Sequence, residues 1–362
     1  MDKPLPTGAT IGILGGGQLG RMLSVAAARL GFRSHIFEPG ANCPAGHVTA
    51  QVTTAAYTDA DALRRFAEAV DVVTYEFENV PTSALDVLEQ LTTIRPGREA
   101  LRISQDRLTE KDFLNGLGLK TAPYAAIDDT AALRAALKAF GTATILKTRR
   151  LGYDGKGQCR LQPDSDPETA IAEMAGQAAL LEGFVVFTYE VSVIGARGAD
   201  GAVCCFDPGE NIHRDGILRT TTLPARLSAA QRMDAVLLTA NILNALDYVG
   251  VMGVELFVTT DGLIVNEIAP RVHNSGHWTQ NGCVVDQFEQ HIRAIAGWSL
   301  GDGTRHCDVV MENLIGDDVM RVAAIAKDPT AALHLYGKAT VKPSRKMGHV
   351  NRIVPTQARK KN

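Results

Sequence analysis

The stretch that most constrains the fold of this chain is residues 251–278, which read VMGVELFVTTDGLIVNEIAPRVHNSGHW. Two strand-like apolar runs, residues 253–259 and residues 263–268, flank a Thr-Asp-Gly turn. A three-residue loop with a glycine in the left-handed conformation is a common connection between antiparallel strands. The sequence therefore predicts a β-hairpin with Gly262 in that position, followed by a loop rich in hydrogen-bonding groups.

This hairpin places two acidic residues against each other. A three-residue loop sets Thr259 opposite Leu263, and it would bring Glu255 opposite Glu267 on the same face of the sheet. Directly opposed carboxylates destabilise a sheet. Apolar neighbours predict that Glu267 is buried, so a hard divalent cation such as magnesium is the expected partner. The alternative is a solvated hairpin edge.

Length and composition limit the class of protein. A chain of 362 residues suggests two or three domains, and a net charge of −3 predicts no general attraction to nucleic acid or membrane. Its six cysteines are scattered and form no C-x-x-C pair, which favours a reducing cytoplasm. We find no signal peptide pattern and no apolar run near the roughly 20 residues that span a bilayer. We therefore expect a cytoplasmic protein with small-molecule partners.

The first segment, residues 1–103, alternates strands and helices and predicts a parallel sheet. Strands at 10–14 and 33–37 enclose a helix that follows the glycine-rich turn 15–20. Free N–H groups at such a helix N-terminus favour an anion. Glu38 ends the second strand, where an acid would bind a ribose hydroxyl of NAD. A dehydrogenase is therefore the first alternative.

The carboxyl ends of parallel strands form the rim at which ligands bind. Gly16 and Gln18 lie in the first turn, and Glu76 and Glu78 follow a predicted strand at 70–75. We expect Gly16, Gln18 and one of the two acids at this rim, with a solvated loop as the alternative for the acids.

In the second segment, residues 104–181, a predicted strand ends in Lys147, and a glycine-rich loop at 152–157 precedes another strand. Three glycines in six residues permit a turn whose N–H groups close over phosphates. The pattern differs from a P-loop, so we predict a strand–loop–strand flap with Lys147 and Lys156 as charges for polyphosphate. The alternative is a surface hairpin with solvated lysines.

The third segment, residues 182–362, contains further candidate site residues. Polar groups around Glu182 could form hydrogen bonds with the edge of an adenine, and Glu190 could form them with a ribose. Close to the end, Arg345 and Lys346 concentrate positive charge beside glycines, which suits a phosphate monoester.

The order of these parts resembles the ATP-grasp superfamily, in which ATP lies between a small lid subdomain and a larger antiparallel sheet. The motifs GGGQLGRML, YEFENV, GYDGKGQ, DGILRTT, NEIAPRVHNSGHWT and YGK…KPSRKMGH are similar to those of the N5-carboxyaminoimidazole ribonucleotide synthetase family of purine biosynthesis. The resemblance covers essentially the whole chain. It implies an α/β and α+β fold with a Rossmann-like preATP-grasp domain at 1–103, a lid subdomain at 104–181 and a catalytic domain at 182–362 that ends in a substrate-phosphate segment.

The resemblance implies a reaction. ATP phosphorylates bicarbonate to carboxyphosphate, and the carboxyl group passes to the amine of 5-aminoimidazole ribonucleotide, with release of ADP and phosphate. It also implies magnesium and a homodimer. Carboxyphosphate is labile in water, which gives a reason for a closing flap. The run PRVHNSGHW disfavours two alternatives in the superfamily, glycinamide ribonucleotide transformylase and biotin carboxylase. A non-catalytic nucleotide-binding module would not need a paired-carboxylate metal site.

The resemblance further implies a role for each matching position. The residues implied to bind ATP are Arg107, Lys147, Gly152, Tyr153, Asp154, Gly155, Lys156, Gly157, Gln158, Glu182, Gly183, Phe184, Val185, Glu190, His213, Asn266 and Glu267. Those implied to hold magnesium are Glu255 and Glu267. Those implied to face bicarbonate and the carboxyl group in transfer are Arg271, His273, Asn274 and Ser275, with Asp154 at the acceptor amine. Those implied to grip the ribonucleotide are Gly16, Gln18, Glu76, Lys338, Arg345 and Lys346.

Overall fold

The computed structural model describes residues 3–152 and 157–354, and the strands of this part form three separate sheets. None of the helices in these two ranges is long and apolar enough to cross a membrane. The elements of the first sheet and its helices are, in chain order, β1 Thr10–Leu14, α1 Gln18–Arg29, β2 Arg33–Phe37, a 3₁₀ turn Pro44–His47, β3 Gln51–Thr53, α2 Ala60–Glu68, β4 Val72–Tyr75, α3 Thr82–Leu88 and α4 Arg98–Ser104.

The first sheet is parallel, as predicted, with the strand order β3-β2-β1-β4. Its strands are short apolar runs that are buried on both faces, as expected where helices cover a parallel sheet. Asp59 caps α2 by accepting the N–H of Ala62. Ile94 adds a single parallel bridge to Val73 of β4.

The second sheet is small and antiparallel, with the strand order β5-β8-β6-β7. Its elements are α5 Arg107–Gly116, β5 Tyr124–Ile127, α6 Thr130–Phe140, β6 Thr144–Thr148, β7 Gln158–Leu161, α7 Pro167–Glu173 and β8 Ala179–Gly183. The side chains of Leu133, Leu146 and Leu181 belong to a hydrophobic cluster that contains residues of this unit alone. The small sheet therefore has its own core.

The third sheet has nine antiparallel strands in the order β14-β13-β9-β11-β12-β15-β17-β16, with β10 paired to β9. Its strands are β9 Tyr189–Arg197, β10 Val203–Cys205, β11 Gly209–Arg214, β12 Ile217–Leu223, β13 Gly250–Thr259, β14 Gly262–Ala269, β15 Asp308–Ile315, β16 Ala331–Leu335 and β17 Lys346–Val354. Its helices are α8 Ala229–Ala245, α9 Thr279–Gly282, α10 Gln287–Ile295 and α11 Val322–Ile325, with 3₁₀ turns at Asn274–Gly276 and Gly316–Arg321. Ser228 and Gln231 form a capping box that begins α8.

The hairpin predicted from residues 251–278 is formed by β13 and β14, but its loop is shorter than predicted. Two residues connect the strands, so Thr259 pairs with Gly262 and not with Leu263. Gly262 has φ of +120°, which the absence of a Cβ permits. The prediction of a three-residue loop was therefore wrong.

A bulge restores the predicted pairing of the two acids. Leu256 pairs with Val265, and the next residue of β13, Glu255, pairs with Glu267. Asn266 is the extra residue of β14, as in a β-bulge where two residues oppose one. The opposition of Glu255 and Glu267 is thus confirmed, although its cause is the bulge.

The first sheet packs firmly on the large sheet. Ile11 and Leu23 of the first unit share one buried cluster with Val251 and Phe288 of the third. In addition, the buried His291 of α10 accepts the N–H of Val251 at Nδ1 (3.1 Å). Its Nε2 lies 2.8 Å from the Thr74 hydroxyl. Since Nδ1 accepts, Nε2 carries the proton and donates to Thr74, which joins β4 to β13.

Candidate active site

A cleft of about 770 Å³ lies between the three sheets. The carboxyl ends of β1 and β4 and the loops that follow them form one wall, and α5 with the small sheet forms another. The hairpin β13–β14, the loop after it and the segment around Arg345 close the third side. The cleft therefore collects residues that are more than 300 positions apart in sequence.

The glycine-rich turn after β1 is already occupied by a carboxylate of this chain. Glu76, which follows β4, accepts the N–H of Gly20 at 2.6 Å and also the N–H of Gly17. Burial raises the pKa of Glu76, while the two N–H groups act in the opposite direction. Glu38 accepts the N–H of Gly16 at 2.8 Å.

This arrangement counts against a dehydrogenase. In a dinucleotide site the N–H groups of this turn bind the pyrophosphate, and the acid after the second strand binds a ribose. Here Glu76 fills the anion position and Glu38 is bonded to the turn itself. The backbone of Gly16 was expected at the rim, but it does not line the cleft.

Glu78 connects the first unit to the loop after β14. Its carboxylate accepts two hydrogen bonds from Arg271, at 2.5 and 3.2 Å, and both residues line the cleft. Burial would lower the pKa of Arg271, but the charge and hydrogen bonds of Glu78 together with the charges of Glu267 and Glu76 hold the guanidinium pKa above its usual value. Both Glu76 and Glu78 thus face the cleft, with different partners.

Glu190, His213, Glu255 and Glu267 lie together on the large sheet at the cleft, and three of these four predicted residues are acids. Glu190, His213 and Glu255 each offer a ligand atom within 4.8 Å of the others, which makes them a candidate metal site. His213 Nδ1 lies 2.7 Å from Glu190. Burial, followed by the charge of Glu267, raises the pKa of Glu255 to about 7.

Glu267 lies at the edge of this group. Its side chain is 40% exposed, against 13% for Glu255, so the expected burial of Glu267 was wrong. The reason is that β14 is an edge strand and Glu267 points into the open cleft. Arg107 Nη1 lies 3.7 Å from its carboxylate. Glu267 is the most accessible of these acids to a bound cation.

Lys147 lines the cleft and is held from behind by Glu182. Its Nζ lies 2.7 Å from the Glu182 carboxylate, and Lys111 Nζ lies 3.3 Å from the same group. Burial alone would raise the pKa of Glu182, but the two lysines outweigh burial and hold it below its usual value. Glu182 thus orients the ammonium group of Lys147, and Glu182 itself does not line the cleft.

A buried polar chain runs behind the hairpin. His273 Nε2 lies 3.7 Å from Glu255, and its Nδ1 lies 2.8 Å from Ser275 Oγ. Ser192 donates to Ser275 at 2.6 Å, and Asn211 donates to Ser192 at 3.0 Å. Burial, with the charge of Arg271 next, lowers the pKa of His273 well below its usual value. His273 is therefore a neutral side chain, and Ser275 supports it from outside the cleft.

Positive charge also collects where the first unit meets the segment around Arg345. Lys338 Nζ donates to Gln18 at 2.5 Å and to the carbonyl of Lys346 at 2.7 Å. Arg345 donates to the carbonyl and hydroxyl of Thr340, at 3.0 and 2.7 Å. The contacts of Lys338 thus bring the start of α1 together with β17.

The structure brings most of the predicted residues into one place. Those that line the cleft are Gln18, Glu76, Arg107, Lys147, Gly152, Gln158, Glu190, His213, Glu255, Asn266, Glu267, Arg271, His273, Asn274, Lys338, Arg345 and Lys346. Those that lie outside its lining are Gly16, Gly157, Glu182, Gly183, Phe184, Val185 and Ser275. Tyr153, Asp154, Gly155 and Lys156 lie outside the described residues.

Glu110 is among the residues that line the cleft and were not predicted. Glu110 is buried on α5, and its Oε1 accepts the N–H of Ile268 at 2.7 Å. Burial, followed by the charge of Glu267, raises its pKa to about 8. Its position three residues after Arg107 on a helix puts both on one face, and that spacing could have identified it.

The small sheet, the large antiparallel sheet and a cleft between them that holds a lysine and a group of acids define an ATP-grasp protein. The sequence matches the ATP-grasp domain family at residues 112–288 and the ribonucleotide synthetase preATP-grasp domain at 8–105. It also matches the C-terminal domain of phosphoribosylaminoimidazole carboxylase at 309–362.

Relatives that match over the whole chain identify a particular family within the ATP-grasp proteins. The chain is 55% identical to an N5-carboxyaminoimidazole ribonucleotide synthase of Brucella melitensis, over 98% of this chain and 99% of that one. It is 41% identical to the Bacillus subtilis enzyme of the same name, over 95% and 91% of the two chains. An ADP complex of such a synthetase superposes with a TM-score of 0.94 at 39% identity, covering 98% and 94% of the chains.

The Aspergillus clavatus enzyme in complex with ADP and 5-aminoimidazole ribonucleotide superposes with a TM-score of 0.91 at 31% identity, over 97% and 95% of the chains. The chain belongs to the N5-carboxyaminoimidazole ribonucleotide synthase family. It is an ATP-dependent ligase.

Proposed function

We propose that this protein uses ATP and bicarbonate to carboxylate the amine of 5-aminoimidazole ribonucleotide, giving N5-carboxyaminoimidazole ribonucleotide, ADP and phosphate. The observation that carries this proposal is the layout of the cleft. A group of acids on the large sheet, Lys147 of the small sheet and Arg107 of α5 line one part of the cleft, and Gln18, Lys338 and Arg345 line the part where the first unit meets the segment around Arg345. A triphosphate with its cation fits the first group, and a ribonucleotide phosphate fits the second.

The donor set of the acidic group fits magnesium. Glu190, Glu255 and Glu267 offer hard carboxylate oxygens, and burial, followed by the charge of Glu267, raises the pKa of Glu255. We propose Glu255 and Glu267 as the ligands, with Asn266 beside them and Glu190 and His213 against the nucleotide. Bound there, magnesium would neutralise charge on the phosphates during transfer.

The phosphates of ATP would lie between the small sheet and the large antiparallel sheet. We propose that Lys147 and Arg107 supply positive charge to the polyphosphate, since both line the cleft and Arg107 also approaches Glu267. Glu182 orients Lys147 from behind. The adenine contact proposed for residues 182–185 rests on the pairing of Glu182 with Ile145, a residue that does line the cleft.

The transferring carboxyl group would lie against the loop after β14. Arg271 supplies a cation there, and its pair with Glu78 fixes the plane of its guanidinium. The side-chain amide of Asn274 is buried at the cleft and, within the described residues, neither its Nδ2 nor its Oδ1 has a hydrogen-bond partner. We propose that Asn274 binds bicarbonate or carboxyphosphate, with neutral His273 next to it.

Several broader features are part of the same proposal. We propose that the protein is a cytoplasmic homodimer, consistent with six free cysteines. We also propose domain divisions near residues 103 and 181, which place one sheet in each of the first and last domains and most of the small sheet in the second.

Release of ADP tests the proposal directly. Purified protein with magnesium–ATP and bicarbonate should release little ADP until 5-aminoimidazole ribonucleotide is added. The rate should then rise at least about tenfold, because the acceptor completes the reaction. Equal ADP release with glycinamide ribonucleotide and formate would contradict the substrate assignment, and release that ignores both acceptors would contradict the reaction class.

A further inference from the structure

Asp106 lies immediately before α5 and is almost completely buried, with 3% of its surface exposed. It caps the helix by accepting the N–H of Leu108 at 3.0 Å. The same carboxylate accepts two hydrogen bonds from Arg149, at 2.9 and 2.8 Å, and one from Arg150 at 3.2 Å. A buried carboxylate with two arginines does more than cap a helix, because a cap needs only the first of these bonds.

The chain that leaves β6 is fastened to this helix end through its backbone as well. The N–H of Arg107 donates to the carbonyl of Arg149 at 3.0 Å. Arg107 Nη2 donates to the carbonyl of Gly152 at 3.4 Å. On the other side, the N–H of Arg149 donates to the carbonyl of Ala178 at 2.9 Å. Residues 149–152 are therefore held between α5 and the small sheet.

The same helix turn also reaches the large sheet. Glu110 accepts the N–H of Ile268, the residue after Glu267. Lys111 contacts Glu182, the partner of Lys147. One turn of α5 thus contacts both walls of the proposed ATP site.

We propose that Asp106 is a positioning residue for nucleotide binding. It neutralises Arg149 and fixes residues 149–152 against α5, so that Arg107 faces the cleft beside Glu267. Without the ion pair, residues 149–152 would lose this anchor, and Arg107, whose N–H and Nη2 are bonded to the carbonyls of Arg149 and Gly152, would no longer be held beside Glu267. The inference rests on the proposed placement of ATP, and it concerns only how that placement is maintained.

The test compares substitutions that remove the ion pair with one that does not. Asp106→Asn keeps an oxygen for the cap and removes the charge. Asp129→Asn is the matched control, because Asp129 caps α6 by accepting the N–H of Ala132 at 2.7 Å and is surface-exposed. Arg149→Gln removes the same ion pair from the other side and leaves the cap intact, so it tests the proposal even where Asp106→Asn fails to fold.

We expect Asp106→Asn and Arg149→Gln each to raise the KM for ATP and the Kd for ADP about tenfold, with the KM for the ribonucleotide within about twofold. The double variant should be no worse than either single one, because both remove one interaction. The Kd for ADP, measured by titration, needs no turnover, so it distinguishes failure of this inference from failure of the proposed reaction. Unchanged nucleotide affinity in Arg149→Gln, or equal changes for ATP and ribonucleotide, would overturn it.

Discussion

Glu255 and Glu267 lie directly opposite each other in the hairpin β13–β14, and only the bulge at Asn266 makes this possible. With the two-residue loop and a regular ladder, Glu255 would face Asn266 and Glu267 would point to the other side of the sheet. The bulge thus costs regular pairing next to the cleft and, in return, puts two acids on one face. Bulges commonly reorient a side chain beside a functional site in this way.

The first prediction concerns this pair. Glu267→Gln keeps the size of the side chain and removes one charge, so the variant should require more magnesium and lose turnover by about 100-fold or more. Steady-state rates across a magnesium titration measure both effects. Asp261→Asn in the exposed loop of the same hairpin is the control. Near-normal activity of Glu267→Gln would remove Glu267 from the metal site.

A second prediction concerns Glu76. Glu76→Ala leaves the N–H groups of Gly17 and Gly20 without their acceptor at a buried helix end, so the free energy of unfolding should fall by about 1–3 kcal/mol. Urea unfolding measures it, with the exposed Glu68→Ala as the control. A loss no larger than that of the control would mean that water replaces the carboxylate at the turn.

A third prediction separates the proposed ribonucleotide site from the proposed ATP site. Arg345→Ala should raise the KM for 5-aminoimidazole ribonucleotide about tenfold and leave the KM for ATP within about twofold, because only the proposed contact with the ribonucleotide phosphate is lost. Initial rates with each substrate varied in turn give the two constants. An effect confined to ATP would reassign the C-terminal cations to the nucleotide.

The fourth prediction concerns acid stability. Burial lowers the pKa of His291 from 6.5 to about 3, so this histidine is neutral in the folded protein while the unfolded chain protonates it below about pH 6.5. Its contribution is fully present above pH 6.5 and is lost as the pH falls from 6.5 toward 3, at about 1.4 kcal/mol for each pH unit once protonation of the unfolded chain is complete. His291→Gln should make the free energy of unfolding less dependent on pH in this window.

Urea unfolding at pH 8 and pH 5 measures that dependence, because a glutamine can accept from Val251 and donate to Thr74 but does not titrate. The matched control is His47→Gln in the exposed part of the 3₁₀ turn. The same pH dependence in His291→Gln as in the unsubstituted protein would show that other groups cause the acid sensitivity.

The sequence predicts the structural features that neighbouring residues determine, and it does not predict those that depend on residues far apart in the chain. β1 and β2 end where their apolar patterns end, and both were predicted at their observed bounds. By contrast, α10 was not predicted, because Gln287, Gln290 and His291 are buried as deeply as its apolar residues.

The site residues also divide into contacts that neighbouring residues determine and contacts between distant residues. The opposition of Glu255 and Glu267 follows from neighbouring residues and was predicted, although the bulge was not. The capture of Gly20 by Glu76 and the shielding of Glu182 by two lysines join residues at least 35 positions apart. No local sequence pattern identifies such partners, because the residues around an acid that binds a backbone N–H do not differ from those around a solvent-exposed acid.

The separate hydrophobic cluster of the small sheet has a consequence for how variation can act on this enzyme. A unit with its own core can open as a cooperative whole while the rest of the chain stays native. A cavity at Leu146 would then raise the fraction of molecules whose nucleotide pocket is unfolded, and apparent affinity for ATP would fall with that fraction. Residues that never touch a substrate would in this way tune the concentration at which the enzyme responds to cellular energy supply.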